Sequence, residues 1–118
     1  MGADEVPSVT IDQIPVNLPP TAEILLLDVR ETAEWDAGHI SGALHIPMGE
    51  LLKRLDEVPR ERDVVVVCRS GQRSAVVTAH LHRGGWRARN LHGGMIAWNA
   101  AGRPMATNAP APHPPAVI

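Results

Sequence analysis

Apolar and polar positions along the chain follow two rhythms. Ile24-Leu25-Leu26-Leu27 is an unbroken apolar run leading into Asp28-Val29-Arg30, and Asp63–Cys68 (DVVVVC) is a second run with four consecutive valines. Short continuous runs of this kind predict strands buried on both faces, as in a parallel sheet. Val9–Ile14 (VTIDQI) alternates apolar with polar residues and predicts an entry strand, while Ala43–Ile46 and Arg87–Leu91 predict two more short strands. The other rhythm is helical. Glu31–Ala37, with Thr32 and acids in its first turn, ends at Gly38, and Gly49–Val58 spaces Leu51, Leu52, Leu55 and Val58 along one face before Pro59. Ser74–Arg83 offers Ala75, Val76, Ala79 and Leu81 for packing before Gly84-Gly85, and Gly93–Ala101 centres on Ile96 and Trp98 before Gly102 and Pro104. Asn17–Thr21, with Pro19-Pro20, predicts a loop.

Strands interleaved with helices through short connections predict a single α/β domain on a parallel sheet. The domain is expected over residues 9–104, with 1–8 a flexible N-terminus. Residues 105–118, where Pro110, Pro112, Pro114 and Pro115 mix with small residues, are expected to be a disordered tail with no packed element.

Composition narrows the class. With 118 residues, 44% of them hydrophobic and 20% charged, the chain has material for one ordinary core. No apolar run approaches the ~20 residues of a membrane span, so no membrane partner is expected. Met1–Pro7 lacks the basic start and apolar stretch of a secretory signal. A lone cysteine cannot form an intrachain disulfide, which makes the reducing cytoplasm the expected compartment, with a monomer or weak homodimer as the expected form. There is no Phe or Tyr and only Trp35, Trp86 and Trp98, which counts against a nucleic-acid-binding sheet that stacks bases on aromatics.

Charge is divided unevenly. All 13 acidic residues lie at or before Asp63 with five of the 11 bases, whereas Arg69, Arg73, Arg83, Arg87, Arg89 and Arg103 follow with no acid among them. Two readings fit: the halves neutralise one another across the fold, or the basic half builds a pocket for a small anion. Six arginines this widely spread do not make a nucleic-acid patch.

Candidate chemistry concentrates where the valine run ends. Ligands gather at the carboxyl ends of strands in open α/β sheets, and there the chain reads Cys68-Arg69-Ser70-Gly71-Gln72-Arg73-Ser74. Loop N–H groups curled into a nest, the positive end of the following helix and the two arginines would each favour a thiolate, placing the Cys68 pKa below the ordinary value of about 8.5. A cysteine closing a valine run is by itself more often an inert core residue. Two arginines, a glycine and a helix start within the next six positions point instead to a reactive thiol. No GxxxxGK[ST] phosphate loop occurs. His80 and His82, two apart on a helix, face different sides, and no second cysteine supplies a CxxC, so no metal is expected.

Three segments in order, LLLDVRETAEWDAGHISGALHIP, CRSGQRS and GWRARNLHGGMIAW, resemble the single-domain rhodaneses, a family of sulfurtransferases, from about Val9 to Pro104. The resemblance implies a five-stranded parallel sheet with helices on both faces and a double-displacement reaction. In it Cys68 is the nucleophile that takes a sulfane sulfur from thiosulfate or another persulfide donor. Arg69, Ser70, Gly71, Gln72, Arg73 and Ser74 form the substrate-binding loop, chiefly through backbone N–H groups, with Arg69 and Arg73 attracting a small anionic donor. The sulfur then passes to cyanide in an assay, or to a thiol or protein in the cell. Asp28 and Arg30 match a DxR that supports the neighbouring backbone, Glu34 and Trp35 are expected to pack the short helix, and no cofactor is implied.

Two rivals share the fold. A phosphatase of the Cdc25 type uses Cys-x5-Arg, a loop one residue longer than the Cys-x4-Arg of Cys68 and Arg73, and the shorter loop suits one sulfur atom better than a phosphoryl group. A non-catalytic binding or regulatory module commonly lacks the cysteine, which is present here. A disulfide reductase would need a resolving cysteine.

Overall fold

The computed structural model describes residues 6–16 and 23–118, so the loop expected at Asn17–Thr21 lies outside the described residues. Five strands, β1 (Ser8–Val9), β2 (Ile24–Asp28), β3 (Leu44–His45), β4 (Asp63–Val67) and β5 (Ala88–Leu91), form one sheet in the order β1-β5-β4-β2-β3. Every pairing is parallel. The valine run is β4, at the centre, and β2 pairs with it along its whole length from Ile24↔Asp63 to Asp28↔Val67. Among the described residues, three α-helices complete the architecture: α1 (Thr32–Ala37), α2 (Gln72–Arg83) and α3 (Gly94–Ala100).

Alternation along β2 and β4 sends side chains to two separate cores. Leu27, Val64 and Val66 join Val77 and Leu81 of α2 on one face, whereas Leu26, Val65 and Val67 join Met95 and Trp98 of α3 on the other. Helices therefore cover both faces. The runs Ile24–Leu27 of β2 and Val64–Val67 of β4 are continuously apolar because helices cover both faces there. Among the described residues, no helix is long and apolar enough to cross a membrane.

Several elements differ from the pattern-based expectation. The entry strand stops at Val9, and Ile11–Gln13 forms a 3₁₀ turn. Its alternation mimics a strand, but the Gln13 side chain accepts from the Thr10 N–H at 2.9 Å and the Thr10 hydroxyl donates to Asp12, local bonds that compete with the sheet ladder. Pro7 and Ser8, expected to precede the domain, join its edge: Pro7 O accepts from Asn90 N at 2.7 Å.

Gly49–Val58 is not an α-helix but two 3₁₀ turns, Met48–Lys53 and Leu55–Glu57, broken at Arg54. The break lets Leu51 and Val58 reach the core while Leu52 faces solvent at 70% exposure. In α2 the buried row is Ser74, Val77, Thr78 and Leu81, and Val76 points outward at 60% exposure. In α3 the buried pair is Met95 and Trp98, with Ile96 on the outside.

Candidate active site

Cys68 is the first residue beyond β4, so the parallel sheet presents it at the carboxyl edge, with α2 beginning four residues later. The loop between them is shaped by α3. Met95 N–H donates to Cys68 O at 2.8 Å and Ile96 N–H donates to Arg69 O at 3.0 Å, so the first turn of α3 takes the loop's carbonyls. Gly94 makes this approach possible: with φ of +55°, a Cβ there would stand 2.4 Å from Cys68 O and 2.7 Å from Arg69 O.

With its carbonyls turned toward α3, the loop aims its N–H groups at sulfur. Gly71, in the left-handed region at φ +104°, donates its N–H to Cys68 Sγ at 3.1 Å, and Ser74 Oγ lies 3.2 Å from the same atom. Burial pushes the thiol pKa up. The Ser74 hydroxyl and the N–H groups of Ser74, Gly71 and Ser70 push it down, and together they prevail, leaving Cys68 below the ordinary thiol range. Cys68 is buried, as a core cysteine would be, yet the donors converge on its sulfur.

Ser74 Oγ also lies 2.5 Å from Asn90 Oδ1 on β5, and Asn90 Nδ2 donates to Gly71 O at 3.1 Å. A hydroxyl has one proton to give. Directed at Asn90, it leaves Oγ free to accept from a Cys68 thiol; directed at Sγ, it stabilises a thiolate. Asn90 thus braces both donors that touch sulfur. Asn90 is a buried polar residue between the exposed Arg89 and the buried Leu91, a position that calls for a partner.

The loop arginines differ in their engagements. Arg73 forms a two-pronged ion pair with Glu34, both contacts at 2.8 Å. Glu34 Oε1 also accepts from the Glu31 N–H at 3.0 Å, closing a capping box at the start of α1. Arg73 hydrogen bonds are the main reason that Glu34 is pulled down to about 2, and the carboxylate in turn raises Arg73. The charge expected to greet an anionic donor at Arg73 is therefore matched by an acid, and Glu34, expected only to pack its helix, tethers α1 to the loop. Arg69 is exposed, with its Nε donating to the backbone oxygen of Ile118 at 2.9 Å. Ser70 and Gln72 are exposed, and the loop uses their backbone geometry more than their side chains.

Asp28 and Arg30 sit beneath this rim, fully buried. Arg30 Nε and Nη2 clasp the Asp28 carboxylate at 2.8–3.1 Å, and Nη2 also donates to Gly38 O at 2.7 Å, fixing the end of α1. Trp35 stacks on His39 and His45 with centroids 3.8 and 4.6 Å apart, while His39 Nδ1 is bonded to Trp35 O and His45 Nε2 to Arg30 O. These residues make α1 a rigid wall beside the loop. A surface cavity of about 650 Å³ near Pro59 and Trp86 lies at the opposite, amino end of the sheet, away from Cys68.

Residues 16–101 match the family model described as Rhodanese-like domain. The chain belongs to the rhodanese-like family. A curated relative named "Sulfurtransferase" from Allochromatium vinosum is 42% identical over 103 residues, covering 86% of this chain and 94% of the relative. The "Thiosulfate sulfurtransferase GlpE" of Coxiella burnetii is 33% identical over 79 residues, covering 66% of this chain and 74% of that one. Among solved structures, a rhodanese-related protein from Thermoplasma volcanium superposes with a TM-score of 0.72 at 25% identity, covering 85% of this chain and 97% of its own. Homologues named for sulfur transfer thus support that general chemistry in this rhodanese domain.

Proposed function

We propose that this rhodanese domain is a sulfurtransferase working through a Cys68 persulfide, with thiosulfate or another sulfane-sulfur compound as donor. The observation that carries the reading is the convergence of the Gly71 N–H and the Ser74 hydroxyl on Cys68 Sγ. Such donors stabilise a sulfur anion before reaction and, after it, the terminal sulfur of a persulfide. With thiosulfate, the Cys68 thiolate attacks the outer sulfur, a new S–S bond forms, the old one breaks, and sulfite leaves with the bonding electron pair. An acceptor nucleophile, cyanide in an assay or a thiol in the cell, then attacks the terminal sulfur and returns the thiolate. Arg69 attracts the anionic donor. Arg73, held by Glu34, shapes the loop instead of meeting the donor directly.

Intact-mass measurement after thiosulfate treatment tests this reading, beside a chromogenic phosphatase assay. The expected result is a gain of one sulfur, lost on adding cyanide and absent in Cys68→Ala. Phosphate release without sulfur uptake would favour the phosphatase alternative, and neither activity would favour a binding module.

A further inference from the structure

Residues 105–118 contain no helix or strand, but they run back along α1 to the loop. His39 and Ala106 exchange both backbone hydrogen bonds, at 2.9 and 2.8 Å. Asp36 O accepts from Asn108 N and from the Thr107 hydroxyl, and Ala37 O accepts from Ala116 N at 2.9 Å. Val117 packs against the core on the α3 face, and the Ile118 backbone oxygen accepts from Arg69 Nε. Gly38 explains how Ala116 lies so close. Its φ of 178° is extended backbone open to any residue, but a Cβ would stand 2.4 Å from Ala116 O and 2.7 Å from Ala116 N. Among the described residues, the three atoms nearest to that added Cβ all belong to Ala116.

We propose that the track from Ala37 to Arg69 is a seat for an extended peptide, filled in cis by residues 116–118, whose occupancy withholds Arg69 from anions approaching Cys68. The seat offers one backbone acceptor, a bare glycine that admits the chain, an apolar hollow for a branched side chain, and a guanidinium for a backbone oxygen. The segment suits it. Pro110, Pro112, Pro114 and Pro115 restrict the backbone before docking, which lowers the entropy lost on ordering it. The single guanidinium bond at its end can be exchanged for one to an anion. As a regulation of sulfur transfer, the inference rests on the function proposed above; as a statement about Arg69 and the thiol, it does not.

Alkylation of Cys68, in which the sulfur displaces iodide, provides the test. Neutral iodoacetamide reports exposure of the thiol, and the ratio of iodoacetate to iodoacetamide rates reports the cation beside it. Ala116→Pro with Val117→Asn alters only the segment, and Gly38→Ala alters only the seat. Both should raise the ratio about fivefold, the scale expected of one uncovered cation a few ångströms away in a largely aqueous setting, with far-UV circular dichroism unchanged. Arg69→Gln should remove the rise in each background. An amidated Pro-Pro-Ala-Val-Ile peptide at millimolar concentration should restore the low ratio in the segment variant but not in Gly38→Ala. A ratio unchanged in both variants, a rise that survives Arg69→Gln, or a peptide without effect on the segment variant overturns the proposal. Should the ratios behave as expected while thiosulfate adds no sulfur, the seat stands and the sulfurtransferase reading fails.

Discussion

Replacing Glu34 with Gln should destabilise the domain in a way whose pH dependence identifies the cause. The carboxylate is held at about 2, against an ordinary 4.5, mainly by the two Arg73 contacts. At 1.36 kcal/mol per unit, that difference sets a ceiling of about 3 kcal/mol on the native state's preference for the ionised form. Solvent lowers the realised value, because the Glu34 and Arg73 side chains are 17% and 36% exposed. Glutamine also keeps an acceptor for the Glu31 N–H and for one arm of Arg73. A loss of about 1–2 kcal/mol at pH 7 is therefore expected. Because the folded pKa is depressed, the contribution is fully present above about 4.5 and fades as pH falls toward 2. Urea unfolding of wild type and Glu34→Gln from pH 7 to pH 2.5 should show a constant gap down to about pH 4.5 and a narrowing gap below it. Equal stabilities at neutral pH, or a gap that stays the same at the acid end, would refute the assignment of the bridge as a structural tether.

Three further outcomes follow from the loop. Cys68→Ala should abolish sulfur uptake from thiosulfate while leaving the circular dichroism spectrum intact; retained turnover would remove Cys68 as nucleophile. Ser74→Ala deletes a donor that lowers the Cys68 pKa, so the midpoint of the alkylation rate against pH should move upward, and an unmoved midpoint would mean that the hydroxyl proton stays with Asn90. Gly94→Ala forces a Cβ into Cys68 O and Arg69 O and should cost more than about 2 kcal/mol of unfolding free energy, read by urea denaturation; wild-type stability would show that α3 does not fix the loop.

The sheet was legible because a chain buried on both faces carries its apolar signal in a continuous run, as Ile24–Leu27 and Val64–Val67 do. Helix faces were less so. Val76 offered an apolar residue to the expected face of α2, yet the buried row runs through Ser74 and Thr78, because Ser74 is drawn inward by Cys68 and Asn90. The leucines of 49–58 fit a helical period, but two 3₁₀ turns bring Leu51, Leu55 and Val58 to the core and leave Leu52 outside. The cysteine and its donor loop are contiguous in sequence, so local reasoning reached them. Glu34 and Asn90 come from α1 and β5, and their bonds to Arg73 and Ser74 span 39 and 16 residues. Only the folded topology brings them to the loop.

The uneven charge of the two halves gains a specific meaning from these contacts. Neutralisation across the fold accounts for part of it: Arg73 meets Glu34, and Arg87 lies 3.3 Å from Asp63. Arg103 instead donates to the carbonyls of Ile14 and Ile11 and lies over the Trp98 ring, holding the entry segment to the body. Arg69 follows Cys68 directly, and its described hydrogen bond goes to the backbone oxygen of Ile118 and not to an acidic side chain. The field at the sulfur therefore has two distinct sources. Fixed dipoles from Gly71, Ser70 and Ser74 lie within the cradle and stabilise the sulfur anion whatever approaches it, while Arg69 lies at the rim, where its charge acts on an incoming molecule once the Ile118 contact is released. Loss of a cradle donor should alter the thiol's own titration, and loss of Arg69 should alter discrimination between anionic and neutral reagents when residues 116–118 are undocked.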